Sequence, residues 1–193
     1  MKRDEDGEAE TFDRFTRPVE VVIRTCREDD LEGLEWFGMF TPHREIIHEA
    51  FAMQRRGENL MLVAEANRFP VGQAWINLRA RALLGTGLLW AVRVLPPFQG
   101  MGIGSRLLAA AEEALRARGF ARAEIGVEKD NPDARRLYER VGYRVVREEY
   151  EEYEYTTPEG THHRVPVDQW FLQKELSPRG ADPGGPTSDG GEG

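Results

Sequence analysis

The chain has 193 residues, 40% of them hydrophobic and 9% aromatic, which suits one substantial core rather than two. A formal net charge of -8 argues against a nucleic-acid partner, whose footprint is basic, and only weakly favours a cationic one. The single cysteine, Cys26, excludes an internal disulfide, the N-terminus has no signal-peptide pattern, and no apolar run approaches the roughly 20 residues that span a bilayer, so the expectation is a cytoplasmic protein with no membrane partner.

Two polar tails frame the chain. Residues 1–17 are largely acidic, and residues 177–193 are dominated by Gly, Pro, Ser and Asp. Neither can bury enough apolar surface to offset ordering entropy, so both are expected to be disordered around a domain at 18–176. Cys26 reads as a small buried hydrophobe.

Val19–Arg27 is rich in β-branched residues and reads as a strand. Asp29-Asp30 caps a helix expected to run to about Phe40. Pro42 opens a second helix that Gly57 ends. Asn59–Ala66 and Val71–Arg79 read as a hairpin around Arg68-Phe69-Pro70. Gly87–Leu95 reads as a buried strand stopped by Pro96-Pro97. Leu107, Leu108, Ala111 and Leu115 form the apolar stripe of a third helix, with Glu112 and Arg116 expected to pair on its other face and Gly119 closing it. Arg122–Glu128 is a short strand. Asn131-Pro132-Asp133 supplies a cap, a first-position proline and a first-turn acid for a last helix, ended by Gly142. Tyr143–Tyr155 and Val165–Lys174 read as two long strands joined by Pro158-Glu159-Gly160. The order is β-α-α-β-β-β-α-β-α-β-β. It describes an α/β fold with a mixed, largely antiparallel sheet flanked by helices.

The segment Val92–Ser105, VRVLPPFQGMGIGS, carries the most chemistry. A strand ends at a proline pair, and a glycine-rich turn then enters an amphipathic helix. Gly100, Gly102 and Gly104 can take positive φ and expose N–H groups at a helix N-terminus, where the dipole favours an anion. A nucleoside-triphosphate loop would need Lys before Ser105, and a dinucleotide fingerprint would need other glycine spacing. A tight turn without a ligand is the plain alternative.

Gln99-x-x-Gly102-x-Gly104, preceded by Val94-x-Pro96, resembles the acetyl-coenzyme A signature of the GNAT N-acetyltransferase superfamily. Asn131 to Tyr143, NPDARRLYERVGY, resembles the other half of that family's pattern, and the order of elements is similar too. The resemblance implies direct acetyl transfer from acetyl-coenzyme A, the cosubstrate, to an amine. It implies that Val92 and Val94 bond the pantetheine arm as an added strand would. The segment Gln99, Gly100, Met101, Gly102, Ile103, Gly104 and Ser105 would hold the pyrophosphate. The N–H of Val92 or Arg93 would face the oxyanion, and Asn131 would cap its helix or reach the pantetheine. Tyr138 matches the family's tyrosine acid, with core packing as the alternative.

Some members carry a glutamate where this chain has Gly126. Glu124 and Glu128 share its strand face and could substitute, as could a water chain. The acidic and aromatic run Glu148–Tyr155 offers carboxylates or rings that suit a cation, or else forms a solvated edge. His43 and His48 could lie near the acceptor but are expected at the surface, and no histidine has metal-site spacing. A non-catalytic acyl-coenzyme A sensor on the same fold is the competing class, and a homodimer is left open.

Overall fold

The computed structural model describes residues 18–176, so both expected tails lie outside the described residues. Seven strands form one sheet: β1 (Val21–Thr25), β2 (Asn59–Ala66), β3 (Phe69–Asn77), β4 (Thr86–Val94), β5 (Arg122–Glu128), β6 (Arg144–Thr156) and β7 (His162–Glu175). Their spatial order is β1-β2-β3-β4-β5-β7-β6, and β4 with β5 is the parallel pair among antiparallel ones. The helices are α1 (Arg44–Arg55), α2 (Ile103–Arg116) and α3 (Pro132–Arg140). No helix among the described residues is long and apolar enough to cross a membrane.

The two faces of the sheet carry different cores. On one, Leu107, Leu108, Ala111 and Leu115 of α2 pack on Leu62, Ala64, Ala74, Ile76 and Ile125, and α3 joins through Leu137, Tyr138 and Val141. Each buried leucine of that stripe contributes about 1.5–3 kcal/mol. On the other, Ile47 and Ala50 of α1 cover Met61, Val63 and Trp75, together with Leu31 and Leu34. The β2–β3 turn is Asn67-Arg68, both left-handed with φ of 50° and 65°, the two-residue hairpin geometry. That starts β3 at Phe69, two residues before the expected Val71.

The helix expected from Asp29 to Phe40 is two short 3-10 turns, Glu28–Asp30 and Gly33–Glu35, with a third at Thr41–His43 leading into α1. Trp36, Phe37 and Gly38 then take φ of 45°, 57° and 97°, which no right-handed helix accepts. Trp36 is held there by donating Nε1–H to Pro70 O at 2.8 Å. Glu112 also departs from expectation. It is buried at 4% exposure and accepts from Lys174 Nζ of β7 at 2.8 Å, with Arg116 at 3.4 Å. A carboxylate taken for the outer face of α2 therefore ties that helix to the sheet.

Candidate functional site

The β4–β5 ladder runs from Thr86↔Arg122 to Leu89↔Ile125 and stops, although β4 continues to Val94 and β5 to Glu128. Beyond Leu89 the two strands splay, leaving an unpaired main-chain edge on β4. A bulge accompanies the splay. The β3–β4 register shifts between Gln73 and Trp75, and Ala91 takes φ of 49°. For a residue with a Cβ this conformation costs roughly 1–3 kcal/mol, and it redirects the strand from Val92 onward.

The glycine turn follows. Pro96–Phe98 forms a 3-10 turn, and Gln99 folds back to donate Nε2–H to Val94 O at 2.9 Å. Gly100 and Gly102 take φ of 75° and 79° and would meet nothing within 4 Å if they carried a Cβ. Gly102 is the N-cap of α2 and offers no side chain to the free N–H groups. Those donors therefore remain available at the positive end of a 14-residue helix. Gly104 differs from expectation: it is helical. A Cβ there would stand 3.2 Å from Leu137 Cδ2, so this glycine serves close packing of α2 on α3.

These elements enclose a cleft of about 620 Å³. Val92, Arg93, Val94, Gln99, Gly100, Gly102, Ile103, Gly104, Ser105, Asn131 and Tyr138 all line it, and Met101, 57% exposed, does not. Asn131 caps α3, its Oδ1 accepting from the Ala134 N–H at 3.1 Å. Tyr138 is 4% exposed, and burial pushes its phenol up to about 12, so it stays protonated through any working pH. The cleft is a fit for an extended chain ending in a phosphate, since a bare strand edge, a buried phenol and free amides all line it.

Of the expected base positions, Glu128 alone among the described residues offers a carboxylate outside an ion pair. Glu124 is 2% exposed and bonded by Arg81 and Arg147, each at 2.9 Å. Glu128 is exposed at the end of β5. At Gly126 a Cβ would come within 2.5 Å of Gln169 Oε1, so the Gln169 side chain occupies the space a glutamate would need.

Sequence reasoning missed several residues. Trp36, Met39 and Phe40 line the cleft from the irregular segment before α1. The Arg93 guanidinium lies 4.2 Å from the Phe40 ring centroid. His43 is half-buried rather than superficial, 4.4 Å from the Tyr155 ring, and its pKa is lowered by burial, then by Arg93 and His163. Tyr153 and Tyr155 stack at 5.9 Å. The neighbouring carboxylates are paired with Arg164: Glu154 binds it at 2.6 Å, and Glu152 at 3.6 Å. Arg93 was expected through its backbone N–H alone; the signal for its side chain was present, an arginine inside the apolar run LLWAVRVL.

The model of the acetyltransferase (GNAT) family matches residues 25–143. The chain belongs to the GNAT family. This GNAT-family chain is 44% identical over 61 residues to a mycothiol acetyltransferase of Beutenbergia cavernae, covering 32% of this chain and 20% of that one. It is 34% identical over 99 residues to an aminoalkylphosphonate N-acetyltransferase of Salmonella typhimurium, covering 51% and 57%. The chain thus spans a fifth and just over half of these two relatives. Its fold is similar to that of a Salmonella typhimurium acetyltransferase solved with acetyl-coenzyme A, with TM-score 0.63, 22% identity and coverage of 84% and 98%. Membership among acetyltransferases favours an enzyme over the sensor alternative.

Proposed function

We propose that this GNAT enzyme transfers an acetyl group from acetyl-coenzyme A directly to a primary amine of a small molecule or peptide. The observation that carries the reading is the juxtaposition, in one cleft, of the unpaired β4 edge, the free amides at the start of α2 and the buried Tyr138 hydroxyl. Acetyl-coenzyme A would supply an activated acetyl thioester.

Each role follows from what a group can do where it stands. Val92 and Val94 bond an extended pantetheine arm through main-chain groups. The N–H groups from Gly100 to Ser105 hold a pyrophosphate. The N–H of Val92 or Arg93, aimed by the bulge at Ala91, stabilises charge developing on the acetyl oxygen. Tyr138 donates a proton toward the departing sulfur. With Glu124 committed to two arginines and Gly126 bare, proton removal from the amine falls to the exposed Glu128 or to water held in the cleft. The one buried thiol, raised to about 12 by burial, suits a reducing cytoplasm and no catalytic role. The acceptors named for the two relatives differ from each other, so neither transfers to this chain.

Gly102→Val tests the cradle. It forces a β-branched residue into left-handed φ at the N-cap, and the expected result is loss of acetyl-coenzyme A binding by calorimetry in a protein whose circular dichroism is close to wild type. Unchanged affinity in the folded variant removes the glycine turn from the site.

A further inference from the structure

Among the described residues, Arg93 stands apart from the other half-buried arginines. Arg24, Arg81, Arg116, Arg122, Arg135 and Arg147 each hold a carboxylate within 4.0 Å. Arg93 holds none, and its side chain makes no hydrogen bond there. It packs on Phe40 and lines the same cleft as the glycine turn and Tyr138. Removing part of a guanidinium from water without a counter-ion is unfavourable, so the exception asks for a partner that arrives later.

A second observation points the same way. Gln73 lies directly across the β3–β4 ladder from Arg93, and directly opposed residues share a face of the sheet. Gln73 is 2% exposed, and its Oε1 has no partner among the described residues. The guanidinium leaves even this neighbouring acceptor unused, so all five of its N–H donors remain free. Glu128 and Tyr153 favour its charge through space, but neither comes within ion-pair distance.

Three carboxylates of the acidic hairpin are already paired. Glu148 binds Lys129 at 2.7 Å, Glu149 binds Arg147 at 2.9 Å, and Glu154 holds Arg164 and His162. Those carboxylates are neutralised within the fold, whereas Arg93 is not.

We propose that Arg93 is an acceptor-binding residue that receives an anionic group, so that the acceptor is a small amine also bearing a carboxylate or phosphonate. This deepens the acetyl-transfer reading and rests on it. The planar fork of the guanidinium matches both anions in two-point contact, and Phe40 keeps the fork in place from behind.

The experiment uses the full chain and paired amines: glycine and β-alanine against glycinamide and β-alaninamide, aminomethylphosphonate as a second anion, and putrescine as a dication. Free thiol release gives kcat/KM. Wild type is expected to prefer each anionic amine over its neutral counterpart by about 10- to 100-fold, and Arg93→Gln to collapse that ratio toward one. Equal rates on acids and amides, a preference for putrescine, or an undiminished ratio in Arg93→Gln overturns the proposal. Putrescine preference would instead point to a separate cavity lined by Glu45 and Glu49 of α1 and Glu154 of β6. Calorimetry of β-alanine and aminomethylphosphonate on coenzyme A-loaded protein needs no turnover. Binding that weakens in Arg93→Gln, or with rising salt in wild type, supports the anion site, and absence of binding overturns it. Coenzyme A binding without acetylation of any amine counts against transfer itself, so the two failures are distinguishable.

Discussion

Tyr138 illustrates how burial changes the chemistry of a familiar group. A free phenol near pKa 10 would lose its proton within reach of an alkaline assay. Here the pKa rises to about 12, and the group remains a donor as pH climbs through 10. Tyr138→Phe keeps the ring against α2 and removes only the hydroxyl. Turnover is expected to fall about 100-fold with little change in cofactor affinity. The wild-type rate should show no alkaline loss assignable to this phenol below pH 11. A rate within a few fold of wild type would remove Tyr138 from the mechanism. Its place in the cleft was legible because the residue sits inside a motif. Its raised pKa was not, since that comes from neighbours distant in sequence. Glu112 was legible only in part: its pairing with Arg116 holds at 3.4 Å, but its burial depends on Lys174, 62 positions away.

Among the elements, strands and the α2 and α3 helices read well. Arg122–Glu128 and Asn59–Ala66 match the structure at both ends, because apolar residues and turn residues bound them locally. The segment from Glu28 to Phe40 did not, since left-handed Trp36 and Phe37 depend on a tertiary bond to Pro70 rather than on propensity. The bulge at Ala91 is equally silent in sequence. One carboxylate fixes the start of that irregular stretch. Asp30 accepts from Arg24 at 2.7 Å through both oxygens, and from the Arg27 N–H at 2.7 Å. Burial alone would raise its pKa, but these bonds override it and hold the carboxyl below its usual value. A depressed folded pKa contributes stability above the unfolded value near 3.9, and that stability is lost as pH falls through the folded pKa. Asp30→Asn is therefore expected to cost about 2 kcal/mol by urea unfolding at pH 6. The gap to wild type should narrow as pH falls below 4, whereas a gap constant from pH 6 to 3 would contradict the assignment.

At the scale of the whole molecule, Glu124 joins three parts of the chain. From β5 it reaches Arg81, just before the β4 strand, and Arg147 of β6, while both arginines also lie over the Phe171 ring of β7. Glu124→Gln keeps the shape and leaves two half-buried cations short of charge. Unfolding free energy is expected to drop by about 3 kcal/mol, measured by urea titration with an unchanged m-value. A loss under 0.5 kcal/mol would mean that the pairs are solvated in solution. The splay between β4 and β5 has a different consequence. The surface it exposes is main chain, which no side-chain exchange short of proline can erase. Met39, Phe40 and Arg93 sit around it and can be replaced one at a time. A lineage built on this frame is thus free to drift in what it modifies while its donor half stays fixed. Saturating positions 39, 40 and 93 should redistribute acceptor preference among descendants long before any of them forgets the cosubstrate.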